Sequence, residues 1–389
     1  MNWRHFAAAV VATAIGVAGA QTVVDVTGVG EKEKTSVSIN VTGPSAAAYA
    51  ATLKRNLELT GCFVVRGDGV VKVTGTVGGS VTAKGAGKVI TAPAPAADDK
   101  SARMAARRMS DAMCEAMSKD AQKGFACDRV IFVSRKSPRV SELCVCYPDG
   151  QDIRELTSDG KHAVGPRWKD ANTVYYIGYL NGGQQIFEHN VETGARKVAF
   201  NLKGVSSPAA VSPDGTKVAL AASFQGNPEL YILSGGRFTR LTNTPTASEG
   251  QPAWSPDGRH IAYVSDETRH PQIYVIDVAT KERRRVTAKG SQNVDPDWGA
   301  DGRLAYITKR GGLAQIAVMD PKKGDSDAKL ISAPGSWEHP VWARDSRHVV
   351  AGRDKALFLV DTVDREKGGD EPRQMFRAAG NWITPTLMR

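Results

Sequence analysis

A proline followed two residues later by an apolar residue recurs six times between residue 165 and the C-terminus. The first copy is Pro166 with Trp168, and successive prolines then follow at intervals of 42, 44, 44, 44 and 45 residues. A repeat of about 40 to 45 residues is typical of β-propellers, in which each repeat forms one four-stranded blade. The spacing therefore predicts a propeller over more than half of the chain.

The clearest repeat, residues 251–290, shows how one blade is built. Ser255–Gly258 reads Ser-Pro-Asp-Gly, where proline presets a turn and glycine accepts the left-handed backbone that joins two antiparallel strands. Strand-like segments follow at His260–Ser265, Gln272–Asp277 and Arg284–Thr287. Related turns recur at Ser212–Gly215, Gly299–Gly302 and Ala343–Ser346, and we interpret Asp214, Asp257 and Asp301 as turn formers rather than catalytic carboxylates.

The two ends of the repeat region complete each other. Arg129–Ser134, Glu142–Cys146 and Ile153–Leu156 read as second, third and fourth strands without a first strand before them. Thr384–Leu387 reads as a first strand with nothing after it. Joining them gives a sixth blade and closes the ring, which removes exposed sheet edges. The sequence therefore predicts a six-bladed propeller closed by its own C-terminal strand.

Residues 1–20 are predicted to be a signal peptide. Met1–His5 is a short basic start, Phe6–Val17 is apolar, and Ala18–Ala20 offers small residues for cleavage between Ala20 and Gln21. The apolar run is shorter than the roughly 20 residues that cross a bilayer, so we expect an exported mature chain without a transmembrane segment.

Residues 21–125 lack the repeat and predict a small α/β domain, followed by the propeller over residues 126–389. The alternating patterns predict strands at 22–26, 36–41, 62–65 and 70–74, and helices at 45–59 and 101–118. Ala86–Ala97 is rich in Ala, Gly and Pro and is predicted to be a loop.

Charge and cysteine content leave several alternatives open. The net charge is +10, but nucleic acid is not the expected partner of an exported protein. An anionic envelope surface, an acidic protein partner, or a solvated basic surface without a specific partner all fit. Five cysteines leave at least one thiol unpaired, and Cys62 could meet Cys114 if a helix packs on the first sheet. Cys144 and Cys146 are too close along one strand to bridge each other easily.

We find no chemistry that predicts an enzyme. The nucleophile motif Gly-x-Ser-x-Gly does not occur, and neither a zinc-type Cys/His spacing nor a phosphate-binding glycine loop is present. His162 and His339 could share one end of the channel as a metal or acid–base pair, although polar loop residues are the simpler interpretation. No cofactor is expected.

The chain resembles the TolB family, the periplasmic component of the Tol–Pal envelope system of Gram-negative bacteria. The motifs that carry the resemblance are Ser255–Gly258 with Ile261–Ser265, Gln272–Asp277, the junction Lys123–Ser134, and Leu53–Phe63 in the first domain. The order of signal peptide, α/β domain and propeller agrees with the same family.

The resemblance implies a non-enzymatic, monomeric adaptor in the periplasm that supports envelope integrity and outer-membrane constriction during cell division. Its N-terminal segment would bind the inner-membrane protein TolA, through Val24, Asp25 and Val26. The propeller would bind the peptidoglycan-associated lipoprotein Pal with the loops that precede each repeat proline. The residues implied there are His162, Ser206, Ser248, Glu249, Gln292, Asn293, Trp337, Glu338 and His339.

An exported propeller that binds a glycan or another envelope protein is the alternative. A carbohydrate site would be expected to ring the channel with aromatic residues and carboxylates, whereas these loops are mainly small and polar, with Trp337 and Trp382 as exceptions. We interpret Trp168, Trp254, Trp298 and Trp342 as blade-packing residues.

Overall fold

The computed structural model describes residues 34–95, 97–118, 121–180, 183–200, 204, 207–224, 226–363, 371–375 and 381–387. An α/β region comes first and a six-bladed β-propeller follows, so the predicted fold class is confirmed. The predicted boundary near residue 125 falls in the connection between the last helix of the α/β region and the first propeller strand.

The α/β region is one five-stranded sheet with two helices packed against it. The strand order is β2-β1-β3-β4-β5, in which β1 pairs in parallel with β2 and β3, and the remaining pairs are antiparallel. Its elements are β1 (Thr35–Thr42), α1 (Ala46–Leu59), β2 (Phe63–Val65), β3 (Val71–Thr76), β4 (Ser80–Gly85), β5 (Lys88–Pro93) and α2 (Asp99–Met117).

Sequence reasoning was right about both helices and wrong about one strand. α1 spans Ala46–Leu59, as its pattern predicts. Helix α2 begins after Asp98, whose side chain accepts a hydrogen bond from the Ser101 N–H at 2.7 Å. The predicted loop over Ala86–Ala97 instead contains β5, which pairs with β4 across the turn at Ala86 and Gly87. The strand was missed because its side chains are small or exposed and leave a weak alternation.

The propeller consists of six four-stranded sheets within the described residues. Five are continuous in sequence and are numbered blades 1 to 5. Blade 1 consists of β9 (Ala163–Trp168), β10 (Thr173–Leu180), β11 (Gly183–Asn190) and β12 (Arg196–Phe200), and blade 2 consists of β13 (Ala210–Val211), β14 (Lys217–Ala222), β15 (Glu229–Ser234) and β16 (Arg237–Arg240). Blade 3 consists of β17 (Glu249–Trp254), β18 (His260–Ser265), β19 (Gln272–Asp277) and β20 (Arg283–Arg285), and blade 4 consists of β21 (Gln292–Trp298), β22 (Leu304–Arg310), β23 (Leu313–Met319) and β24 (Lys329–Leu330). Blade 5 consists of β25 (Glu338–Trp342), β26 (His348–Arg353), β27 (Ala356–Asp361) and β28 (Arg373–Gln374).

The sixth sheet, here the composite blade, joins the two ends of the propeller. Its order is β29-β6-β7-β8, from β6 (Val130–Ser137), β7 (Val140–Cys146), β8 (Arg154–Glu155) and β29 (Asn381–Leu387). The C-terminal strand pairs antiparallel with β6, with Leu387 opposite Val130. The predicted closure of the ring is confirmed.

The propeller's apolar cores lie between blades rather than inside them. Six buried clusters occur in the described part of the chain, one at each junction of neighbouring blades. Trp254, Trp298 and Trp342 are all buried in these clusters, which confirms their interpretation as packing residues, and Trp168 is half-buried against its cluster. Each sheet therefore buries both of its faces against neighbouring sheets, and every blade depends on its two neighbours for its apolar core.

The repeated aspartates form turns, as predicted. Asp257 accepts hydrogen bonds from the Ser255 hydroxyl at 2.6 Å and from the Arg259 N–H at 3.0 Å. In blade 5 the corresponding turn ends at Ser346, which adopts a left-handed φ of 54° where blades 2, 3 and 4 have Gly215, Gly258 and Gly302. The loss of glycine from this motif therefore leaves the turn geometry unchanged, at the cost of a strained residue.

All five cysteines are free thiols, so the pairing considered for Cys62 and Cys114 is not formed. Both side chains do lie in or against the same α/β core. Instead of pairing, the Cys62 thiol contacts Gln122 Oε1 at 3.2 Å.

Candidate functional site

Strand direction gives the propeller two different ends. The turn face carries the Ser-Pro-Asp-Gly turns and the connections from third to fourth strands. The mouth face carries the loops before each repeat proline and the hairpins between second and third strands. The predicted Pal-binding residues that the structure describes all belong to the mouth face by this topology.

The α/β region packs on the turn face through a buried ionic cluster. Arg107 of α2 is fully buried, and its guanidinium contacts Asp149 at 2.7 Å and Asp152 at 2.8 Å. Both aspartates lie in the connection from β7 to β8 of the composite blade. Asn56 of α1 also donates to Asp149, at 3.0 Å. Buried charges of opposite sign with good hydrogen-bond geometry specify how two bodies dock.

Blade 5 supplies the rest of this interface. Arg344 donates to the Gly124 carbonyl at 2.8 Å, and Arg373 donates to the Leu59 carbonyl at 2.8 Å. In the other direction, Arg55 donates to the Met375 carbonyl at 2.7 Å. The α/β region therefore covers the turn face at blade 5 and the composite blade, and the mouth face lies at the opposite end.

A buried histidine lies directly beneath this interface. His348 Nδ1 is 2.6 Å from Asp345 and Nε2 is 3.5 Å from Asp361, while the Phe125 ring packs at 5.3 Å between centroids. Burial alone would lower the pKa of His348, but the two carboxylates outweigh it and raise the pKa to about 9. At neutral pH the imidazolium is therefore the favoured form.

The turn face also contains a cavity of about 680 Å³ at the end of the channel. First-strand residues line it, among them Arg167, Trp168, Trp254 and Asp297. These polar groups already have protein partners: Asp297 accepts from the Trp342 N–H at 2.8 Å, and the Trp254 indole donates to the Ala210 carbonyl at 3.0 Å. The cavity is thus lined by groups that connect neighbouring blades.

At the mouth face, the residue before the repeat proline has a left-handed backbone in several blades. The φ angles are 61° at Gly165, 51° at Gln251, 54° at Asp295 and 50° at His339. The pairing of first and second strands shifts register at the same place. Such bulges re-aim side chains and are frequent near functional sites. The proline at the next position has no backbone N–H, so the interrupted strand pairing leaves no donor without a partner there.

Three of these residues form a chain of contacts between blades 3, 4 and 5. The Gln251 amide binds the Asp295 carboxylate, and its oxygen accepts from the Asp295 N–H at 3.0 Å. Asp295 Oδ2 in turn accepts from the His339 N–H at 3.3 Å and lies 3.2 Å from His339 Nδ1. Burial would raise the pKa of Asp295, but the attraction of His339 outweighs burial and lowers it, while the pKa of His339 is raised.

The Leu-Thr ends of the fourth strands have a role that sequence reasoning did not find. The Thr242 hydroxyl donates to Glu229 at 2.6 Å and accepts from the Leu230 N–H at 2.9 Å. Thr287 repeats the arrangement with Gln272 at 2.9 Å. Glu229 and Gln272 each begin a third strand. Each also accepts a hydrogen bond from the segment that follows the threonine, from the Thr244 N–H and from the Asn293 amide. The signal that could have revealed these pairs is a Glu or Gln at the start of the third strand in each repeat whose fourth strand is followed by this Thr.

Several predicted partner-binding residues are accessible at the mouth. Ser248 is exposed, and His162, Gln292, Glu338 and His339 are half-buried. His162 lies 3.3 Å from the Ser141 hydroxyl and packs edge-on to Tyr179. His339 contacts Asp295 instead, so the structure does not show the two histidines as a pair.

Three predicted partner-binding residues are buried in the free chain. Trp337 donates its indole N–H to the Ala333 carbonyl at 2.9 Å and packs edge-on to Phe358. Asn293 donates to Gln272 at 2.8 Å. Glu249 accepts from Thr244 at 3.0 Å and Ser265 at 3.2 Å, and burial raises its pKa to about 7. Their side chains support the loops, and direct contact with a partner stays a prediction for them.

The remaining predicted residues lie outside the described residues. They are Ala20, Gln21, Val24, Asp25, Val26 and Ser206. Within the ranges described above, no group of His, Cys, Asp and Glu side chains is arranged to hold a metal ion. None of the helices in those ranges is long and apolar enough to cross a lipid bilayer.

The family model described as the TolB β-propeller domain matches residues 119–369. The chain belongs to the TolB family. A TolB homolog of Chlamydia felis is 29% identical over 118 residues, which are 28% of this chain and 27% of the relative's length.

Solved structures of TolB proteins have the same fold. TolB from Acinetobacter baumannii superposes with a TM-score of 0.74 at 20% identity, covering 92% of this chain and 97% of that one. A TolB from Agrobacterium tumefaciens, described as putative, gives 0.52 at 15% identity, covering 67% and 98%. The first match includes both the α/β region and the propeller, so the TolB architecture extends over nearly the whole chain.

Proposed function

We propose that this protein is a non-enzymatic periplasmic adaptor of the Tol–Pal system. Membership of the TolB family, over the propeller as a whole, is the observation that carries the proposal. The adaptor connects TolA-type machinery of the inner membrane with a peptidoglycan-associated lipoprotein, and so supports envelope integrity and outer-membrane constriction during division.

The lipoprotein would bind at the mouth face. The α/β region covers part of the turn face, whereas the mouth loops are held by the buried Thr–Glu and Thr–Gln pairs and remain accessible. Loops fixed on a rigid scaffold lose little conformational entropy when a partner binds. The accessible residues His162, Ser248, Gln292, Glu338 and His339 are the proposed contacts, and Glu249, Asn293 and Trp337 would act by positioning them.

The TolA-type contact would use the N-terminal segment around Val24, Asp25 and Val26, after removal of the signal peptide between Ala20 and Gln21. This assignment rests on the family resemblance alone. A binding role, rather than catalysis, agrees with the way Asp295 and His339 bind each other and Asp214, Asp257 and Asp301 form turns.

A pull-down from envelope extract tests both surfaces. The mature chain from Gln21 and a variant without residues 21–33 would be immobilised, and captured proteins identified by mass spectrometry. We expect a peptidoglycan-associated lipoprotein with both baits and a TolA-type protein only with the full mature chain. Capture of a saccharide or an unrelated envelope protein, with neither partner, would overturn the proposal and favour the glycan-binding or other envelope role.

A third bait locates the lipoprotein site. Gln292→Ala combined with Glu338→Ala alters two accessible mouth residues, and Arg237→Ala combined with Arg259→Ala is a control on the turn face. We expect loss of lipoprotein with the first pair only. Equal recovery by both pairs would place the contact elsewhere.

A further inference from the structure

The mouth face has an uneven distribution of charge among its hairpins. The hairpins between second and third strands are basic in three adjacent blades, blade 4, blade 5 and the composite blade. Their cationic residues, here called the basic arc, are Arg135, Lys136, Arg139, Lys309, Arg310, Arg353 and Lys355. The corresponding hairpins of blades 1 and 2, residues 181–182 and 223–228, contain no charged residue. The arc therefore covers one half of the mouth.

Most of these charges are not neutralised by a neighbour. Arg135, Arg139, Arg310 and Lys355 are exposed, and none of them takes part in an ion pair with another residue that the structure describes. Lys136 has a surface partner, Glu155, at 3.2 Å. Clustered like charges repel one another and raise the local positive potential, which attracts an anionic partner.

Two acidic residues of the mouth face are paired with cations outside the arc. Glu267 pairs with Arg283 at 2.9 Å, and Asp159 pairs with Arg196. Two others lie beside the arc and offset part of its charge: Asp354 contacts Arg353 at 3.3 Å, and Glu155 contacts Lys136 at 3.2 Å. With seven cations against these two carboxylates, the arc keeps an excess of positive charge.

Arg353 is the one member of the arc held by aromatic packing. Its guanidinium lies 5.0 Å from the centroids of both the Trp337 and the Phe358 rings. Its Nε donates to the Asp354 carboxylate at 3.3 Å, and about a third of its side chain remains exposed, 32% by area. Arginine stacked on aromatic rings has a restricted orientation, so binding a further carboxylate through its other donors has a small entropic cost. Buried Trp337 thus orients a cation at the mouth.

We propose that the basic arc binds an acidic segment of the protein partner, with several Asp or Glu side chains lying across blade 4, blade 5 and the composite blade. This inference rests on the proposed lipoprotein site at the same mouth. Arg353 is the central carboxylate contact, and the exposed cations on either side set the direction of the segment.

The binding test uses a fluorescein-labelled peptide of alternating Glu and Ser, ten residues long, and the full mature chain. The arc variant is Arg135→Glu, Arg310→Glu and Lys355→Glu. The control reverses the same number of exposed charges on the turn face, at Arg237, Arg259 and Lys322. Circular dichroism and melting curves of both variants verify folding.

We expect fluorescence anisotropy to show salt-dependent binding of the peptide that weakens about tenfold in the arc variant and less than about twofold in the control, since each exposed ionic contact contributes modestly. Trp337→Phe, which keeps an aromatic ring under Arg353, is expected to bind nearly as well as wild type. Equal weakening in both charge-reversal variants would overturn the inference. So would arc-dependent binding of vesicles containing phosphatidylglycerol with no binding of the peptide.

The pull-down separates this inference from the proposed function. Loss of the lipoprotein from the arc variant, with recovery by wild type and control, supports both. Unchanged recovery by the arc variant would overturn the acidic-segment inference and leave the adaptor function standing. If wild type captures no lipoprotein while the acidic peptide still distinguishes the variants, the proposed function fails and the acidic-segment inference stands on its own.

Discussion

The two faces of the propeller use arginine in opposite ways. On the turn face, Arg107 is fully buried between Asp149 and Asp152, and it attaches the α/β region to the composite blade. On the mouth face, Arg135 of β6 and Arg310 at the end of β22 are exposed. The same residue type is therefore bound to carboxylates where it is enclosed, and it stays available where it is exposed, which is the basis of the proposed recognition. Four measurements test this contrast.

Removing the C-terminal strand is expected to have the largest effect, because β29 is the first strand of the composite blade and closes the ring. Deletion of residues 381–389 would leave β6 as an open edge and remove Leu387, which is buried opposite Val130. We expect a loss of about 5 kcal/mol or more, comparable to the whole stability of a domain. Thermal unfolding and limited proteolysis measure it.

Deletion of Met388 and Arg389 alone is the control, since β29 ends at Leu387. Equal melting of the two truncated chains would show that the composite blade is not needed to close the ring.

Arg107→Ala is expected to cost about 3 to 5 kcal/mol, because it leaves the buried Asp149 carboxylate without its cation and Asp152 with Arg103 alone. Urea unfolding of this variant, next to Arg108→Ala on the exposed side of the same helix, measures the difference. A loss below about 1 kcal/mol would mean that the turn face is not held by its buried charges.

His348 should make the turn face sensitive to alkaline pH. Its pKa is raised from the usual 6.5 to about 9, so its stabilising contribution is complete below pH 6.5 and is lost as the pH rises through 9. The free energy of unfolding should fall by on the order of 3 kcal/mol across that window. In His348→Gln this fall should disappear; an unchanged pH profile would contradict the assignment.

Glu249 should make the mouth face sensitive in a lower window. Burial raises its pKa from 4.5 to about 7, so its contribution is complete below pH 4.5 and is lost as the pH rises through 7. We expect Glu249→Gln to flatten the stability profile between pH 4.5 and 7 without changing it between 7 and 9. The reverse result, loss of the alkaline fall, would show that the two faces are coupled.

Elements with a strong repeat were predictable, and contacts between distant segments were not. The proline spacing, the Ser-Pro-Asp-Gly turns and the split blade were read correctly because each depends on local turn chemistry and strand alternation. The strand Lys88–Pro93 was missed because small, exposed side chains carry little alternation. Trp337 was predicted to bind the partner, and its position in a loop did not reveal that its ring packs on Phe358 and under Arg353.

The number of blades, the strand that closes the ring and the family follow from periodic, local patterns, so they can be read from the amino-acid sequence. Which charges are buried and which are exposed depends on how distant segments pack. Arg107 and Arg135 look alike in sequence, but one lies 2.7 Å from a carboxylate inside an interface and the other is exposed on the β6 strand of a hairpin. The energy of a charge depends on its solvation and its neighbours, and those are set by segments distant in the chain.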